Sequence, residues 1–137
     1  MSFSGIVLKQ VENRMPKLMD ARRHGALDYL HAAFFFGMGL AYRKNQPKVA
    51  TAAMITGGFL LAEALLTDYP LGIKKVIPFA MHGRIDGTAA VVALSVPRIL
   101  GIEGTPASAV FKGSGILGSI LVGMTDYDTE RARVDAA

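Results

Sequence analysis

His24-Gly25-Ala26-Leu27-Asp28 recurs as His82-Gly83-Arg84-Ile85-Asp86, and Thr67-Asp68-Tyr69 recurs as Thr125-Asp126-Tyr127, both at a shift of 58 positions. The same shift aligns Ala32 with Ala90 and Gly57 with Gly115, while the apolar filling between them has drifted. A repeat whose polar ends persist marks one structural unit used twice, and it constrains the architecture before any single helix is assigned. The unit reads as a two-helix hairpin over residues 24–69, then a linker over 70–81 and a second hairpin over 82–127.

Between the polar ends lie four apolar stretches, Gly25–Tyr42, Val49–Leu66, Ile85–Leu100 and Pro106–Met124. Each approaches the ~20 residues that a helix needs to cross a bilayer. A helix of a soluble bundle shows a polar face opposite its apolar one. Ala32-Ala33-Phe34-Phe35-Phe36, Phe59-Leu60-Leu61-Ala62 and the run from Ile116 to Val122 are instead apolar on nearly every side. Charged residues make up 19% of the chain, against about 25% in ordinary soluble domains. The predicted fold is therefore an all-α, four-transmembrane-helix bundle made of two tandem helical hairpins. An N-terminal amphipathic helix precedes it over residues 1–23, with Val7, Leu8, Val11, Met15, Leu18 and Met19 on one face. Such a segment suits a membrane interface, and Pro16 should interrupt it. A polar tail follows over residues 128–137.

Pro47 and Pro106 stand where the second helix of each hairpin should start, because proline lacks an N–H that the first turn does not need. The absence of cysteine removes disulfides and thiolate metal sites and leaves the redox compartment open. The N-terminus lacks the apolar core and small-residue cleavage site of a signal peptide. A net charge of +4, without a basic stripe interleaved with aromatics, argues against nucleic-acid binding. Hydrolase elbows, phosphate loops, dinucleotide fingerprints and zinc-protease patterns are all missing.

Lys9, Arg14, Lys17, Arg22, Arg23, Lys74, Lys75, Arg84, Arg131 and Arg133 fall on the side of both termini. They outnumber Arg43, Lys44, Lys48, Arg98 and Lys112 on the other side. Positive charge favours the cytoplasmic side, which places both termini in the cytoplasm. In that topology His24, Asp28, Asp68, Tyr69, His82, Asp86, Asp126 and Tyr127 gather in one layer near a single membrane face. Small residues at Gly83/Gly87, Ala53/Gly57, Ser114/Gly118 and Ser119/Gly123 share the four-residue spacing that lets helices approach closely in lipid.

His and Asp four apart share a helix face. One reading of the layer is structural, a polar lock needed once per hairpin. The other is ligation: His24 and His82 could be axial ligands of a haem, each could hold a chlorophyll-type magnesium, or imidazoles and carboxylates together could bind a metal ion. A second set breaks the repeat: His31 faces Ala89 in the alignment, and Glu63 faces Leu121. Ionisable groups inside a membrane mark functional sites by default, so His31, Glu63 and Asp28 form a candidate proton or cation site.

The duplicated His-to-Asp start and Ser95-Val96-Pro97 near a helix end resemble the SPW-repeat family of small bacterial membrane proteins, over residues 24–127. That resemblance implies a four-helix protein of the bacterial inner membrane and no established activity. The expected function is a non-catalytic structural or accessory subunit that packs in lipid with other membrane subunits. A cofactor-bearing redox or light-harvesting subunit, and a small channel or carrier, are the alternatives.

Overall fold

The computed structural model describes residues 15–129. Most of the amphipathic segment over 1–23 and nearly all of the tail over 128–137 lie outside the described residues. The described chain is helical: α1 Ala21–Tyr42, α2 Pro47–Leu66, α3 Phe79–Leu100 and α4 Pro106–Met124. Two short parallel strands, β1 Thr67–Asp68 and β2 Ile77–Pro78, lie between α2 and α3, and a 3-10 turn covers Tyr127–Thr129.

Local chemistry sets the helix ends. Asp20 caps α1, its carboxylate accepting from the Arg23 N–H at 2.8 Å. Thr105 caps α4 by accepting from the Ser108 N–H at 3.2 Å, and proline opens both α2 and α4. Side-chain oxygens at such positions satisfy amides that have no partner inside the helix. Gly101 stops α3 in the left-handed conformation, φ 67°, which glycine adopts without a Cβ clash. α1 and α3 begin at Ala21 and Phe79, each ahead of the histidine where the helix was expected.

The 58-position offset reappears in these starts and in the strand pairing. Ile77 pairs with Thr67 and, one offset earlier, Met19 pairs with Thr125. The chain entering each of α1 and α3 thus lies beside the chain leaving the other half. The loop after β1 also folds back on α2, with the amides of Ile73 and Lys74 donating to the Leu65 carbonyl at 2.9 Å.

α1 packs along α2, and α3 along α4. A Cβ built on Gly57 would lie 3.1 Å from the Ala32 carbonyl oxygen, and one on Gly115 only 2.6 Å from that of Ala90. The matched pairs Ala32/Gly57 and Ala90/Gly115 are therefore the close contacts of the two helix pairs. Gly83/Gly87 does not serve this purpose. Gly83 lies under the ring of Tyr127, and Gly87 has open space where a Cβ would be.

Polarity is inverted relative to a water-soluble bundle. Leu30, Ile55, Val91 and Ile99 are each more than 60% exposed, and Phe34, Phe59, Ile116 and Ile120 are exposed as well. His24, His82 and Glu63 are at most 4% exposed. α2 and α4 are long and apolar enough to cross a membrane. α1 and α3, of 22 residues each, are long enough too but carry Asp28 and Asp86 beside arginines near their ends. Away from the polar layer the core is apolar, built on Ala32, Phe35, Ala53, Leu60, Ala107 and Phe111.

Candidate functional site

Two side chains from α1 and two from α3 meet at one end of the helices. His24 and Asp28 lie one turn apart on α1, and His82 and Asp86 lie one turn apart on α3. One ligand atom from each falls within 4.8 Å of all the others. The two Nε2 atoms are 3.1 Å apart. The Asp86 Oδ2 lies 2.9 Å from the Nε2 of His24 and 3.1 Å from that of His82. Asp28 spans the pair from the other helix, Oδ1 at 3.5 Å from the Nε2 of His24 and Oδ2 at 3.3 Å from that of His82.

Threonine hydroxyls orient both rings. His24 Nδ1 lies 2.7 Å from Thr125 Oγ1, and His82 Nδ1 lies 2.8 Å from Thr67 Oγ1. A hydroxyl has one proton to donate. Thr67 donates it to the Glu63 carbonyl at 2.7 Å, and Thr125 donates it to the Leu121 carbonyl at 2.6 Å. Each threonine oxygen must then accept from the imidazole, so each Nδ1 carries a proton. The Nε2 lone pairs, which this leaves unprotonated in the neutral rings, face one another and the two carboxylates. The exchange crosses the halves: the threonine of each repeat holds the histidine of the other.

Each tyrosine ring lies on the glycine of its own half and also reaches the other half's histidine, Tyr69 to His82 at 5.7 Å and Tyr127 to His24 at 5.9 Å between centroids. A Cβ on Gly25 would lie 2.7 Å from the Tyr69 ring, and one on Gly83 would collide with the ring of Tyr127. Glycine next to each histidine thus admits the tyrosine that follows each threonine. The Tyr69 hydroxyl donates to Asp28 Oδ2 at 3.1 Å. Burial, with the charge of Asp28 beside it, pushes the Tyr69 phenol well above its ordinary range, which keeps it a donor. Phe79 is wedged against the Tyr127 ring, centroids 4.8 Å apart, and closes over His24 at 5.6 Å.

Of the eight residues expected in the layer, His24, Asp28, His82 and Asp86 form its centre, and Tyr69 and Tyr127 pack around it. Asp68 and Asp126 lie outside it. Asp68 faces the Lys75 ammonium at 4.0 Å, and Asp126 accepts from the Asp128 amide at 3.0 Å. Thr67, Thr125, Gly25, Gly83 and Phe79 belong to the site but stood outside the predicted set. The repeat of threonine and glycine at fixed places was the available signal for the first four.

His31 and Glu63 take different partners. His31 Nε2 lies 2.8 Å from Ser114 Oγ, toward the Phe35–Phe111 contact, centroids 5.5 Å apart. Glu63 turns to the layer, its Oε1 3.4 Å from His82 Nδ1. Neither of its carboxyl oxygens has a hydrogen-bond partner among the described residues.

The Nε2 separation also decides between cofactors. With bonds of about 2 Å, two axial imidazoles of one iron stand about 4 Å apart with the macrocycle between them. At 3.1 Å, flanked by two carboxylates, the histidines have no room for a haem, and neither nitrogen points outward to a chlorophyll-type magnesium. The arrangement suits a small cation or shared protons. No family model, curated protein or solved structure matches the chain.

Proposed function

We propose that the chain is a multi-pass integral membrane protein, four spans in two tandem hairpins, acting as a non-catalytic structural subunit of the bacterial inner membrane. The observation that carries this reading is the inverted polarity. The middle of every helix presents Leu, Ile, Val or Phe outward, while the imidazoles and carboxylates turn inward. Water would penalise that outer surface, and contiguous apolar patches of such extent mark contact with lipid or partner subunits. Ionisable groups in such helices face the bundle interior, as they do here.

In this role the polar layer fastens the hairpins. Each half supplies a threonine to the other half's histidine, so neither hairpin completes its own hydrogen bonds alone. The threonine hydroxyls beside the imidazoles give their protons to the Glu63 and Leu121 carbonyls and accept from the rings, which supports a structural role for them over a nucleophilic one.

The absence of cysteine makes the topology directly testable. Single cysteines at Asn45, Glu103 and Lys75 in the full chain are probed with a membrane-impermeant thiol reagent on intact cells. Asn45→Cys and Glu103→Cys should label from outside, and Lys75→Cys only after lysis. Recovery of the protein in the soluble fraction, or labelling of Lys75→Cys in intact cells, would overturn the proposal.

A further inference from the structure

We propose that His24, Asp28, His82 and Asp86 hold one divalent metal ion of the zinc class, ligated by both Nε2 atoms and by an oxygen of each aspartate. The inference stands on side-chain geometry and goes beyond the membrane reading, since the four groups would meet equally well in a soluble chain.

Tautomer is the first argument. Because each threonine proton is committed to a backbone carbonyl, both imidazoles donate through Nδ1 and offer Nε2 as a lone pair. A partner that holds the far ring nitrogen as a donor fixes the tautomer that histidine needs to bind a metal. Two such lone pairs at 3.1 Å, beside two carboxylates, repel unless a cation or additional protons lie among them.

Distance is the second. Ligands about 2.0–2.1 Å from a tetrahedral ion lie about 3.3 Å from one another. The five nitrogen–nitrogen and nitrogen–oxygen separations among the four groups run 3.1, 2.9, 3.1, 3.5 and 3.3 Å. The two Asp28 distances are to different oxygens, and with one ligand atom from each residue all four lie within 4.8 Å of one another, so a small contraction about an ion brings the donors to coordination spacing.

Charge and donor type fix the class. Two neutral imidazoles and two carboxylates carry two negative charges, which one divalent ion neutralises. Burial of both histidines, at most 2% exposed, makes that neutralisation valuable. Calcium and magnesium favour all-oxygen sets. Two imidazoles with two carboxylates suit zinc and its first-row neighbours, and cuprous copper would want thiolates or thioethers. The aspartate side chains are 12% and 14% exposed, which leaves the ion an approach from the carboxylate side.

Glu63 makes the two histidines unequal. His82 Nδ1 has both Thr67 and the Glu63 carboxyl group beside it, whereas His24 Nδ1 has Thr125, and Leu121 stands in the place of Glu63. A carboxyl group behind a ligating imidazole positions it and raises its donor strength.

The test uses the full, untagged chain purified in detergent and stripped with chelator. Titration with zinc alone, followed by calorimetry and elemental analysis, should give one ion per chain. A millimolar excess of magnesium should not displace it. His24→Gln/His82→Gln should lower zinc affinity by at least 100-fold, and Thr125→Val by about 10–100-fold, the usual effect of removing the group that orients a ligating imidazole. Circular dichroism checks that each variant keeps its helices. Should the double variant unfold, cobalt added to the wild-type chain decides. An intense tetrahedral visible band, lost on adding zinc, supports the site, and the weak spectrum of the aqua ion overturns it. Zinc well below one equivalent, equal affinity in the folded double variant, or displacement by magnesium would each overturn the assignment. Because these readouts need no bilayer, failure here is distinguishable from failure of the topology.

Discussion

The two halves are alike at the centre of the polar layer and unlike at three positions around it, where Glu63 reaches His82, His31 reaches Ser114 and Phe79 closes over His24. His24 and His82, Asp28 and Asp86, Thr67 and Thr125, Tyr69 and Tyr127 occupy matching places around the layer. Phe79, Glu63 and His31 have Ala21, Leu121 and Ala89 as their counterparts. The matched residues are those whose contacts require a partner in the other half, or a ring lying on a glycine in their own. A two-fold arrangement gives both copies the same neighbours, so the same residue types satisfy both. The unmatched residues break that equivalence and mark the second histidine as the more heavily supported one.

Removing a matched carboxylate should break the comparison most severely. Asp86 serves both imidazoles, at 2.9 and 3.1 Å. With a cation or additional protons held among the four groups, removing one carboxylate leaves that buried positive charge uncompensated, at a cost of about 3–5 kcal/mol. Asp86→Ala should show that loss in denaturant unfolding in micelles. A change below about 1 kcal/mol, the level of an exposed pair, would mean that the layer does not fasten the halves.

The threonines sharpen the comparison. Thr125→Val strands the His24 Nδ1–H, and an unsatisfied buried donor costs about 1–3 kcal/mol. Thr67→Val leaves Glu63 near His82 Nδ1, at 3.4 Å, so its loss should be the smaller. Equal losses in thermal unfolding of the two variants would show that Glu63 gives His82 no support.

The glycines should behave alike in the two halves. Alanine favours a helix over glycine by about 1 kcal/mol, yet at positions 25 and 83 its Cβ meets a tyrosine ring. Overpacking costs about 1–3 kcal/mol, so Gly25→Ala and Gly83→Ala should each lose up to about 2 kcal/mol net, while Gly87→Ala, which has open space, should gain. If all three gained, the rings would not rest on the helices as described.

Much of this was legible before any coordinates. The helices follow from the apolar stretches and the prolines, and the meeting of His24 with His82 follows from the repeat and antiparallel threading. The crossing of the threonines does not, because Thr67 holds the histidine nearer to it along the chain, His82, while Thr125 holds the farther one, His24. Only the facing of the halves selects both partners. His31 and Glu63 were coupled by depth alone, since both lie within the helices and have no repeat mate. Helix phase separates them: His31 turns to Ser114 on α4, and Glu63 turns to the layer. Gly83 was drawn to helix packing by its spacing from Gly87, when the aromatic ring that needs it comes from Tyr127, beyond the end of α4.

The smallest effect tests what the asymmetry is for. Glu63→Leu makes the first half resemble the second at the one buried place where they differ in charge. Glu63 is 4% exposed and, among the described residues, neither oxygen has a hydrogen-bond partner, so desolvation works against it. Its only gain is the contact with His82 at 3.4 Å. Replacing buried charged groups by well-packed hydrophobic ones is often neutral or stabilising, and Glu63→Leu should shift stability by no more than about 1 kcal/mol, in the favourable direction. Zinc affinity should fall in the same variant, because the carboxyl group behind His82 goes with it. A variant that is more stable and binds zinc more weakly would show that this carboxyl group acts on the ligand and not on the fold. A variant that loses stability with zinc binding unchanged would place Glu63 among the fastenings instead.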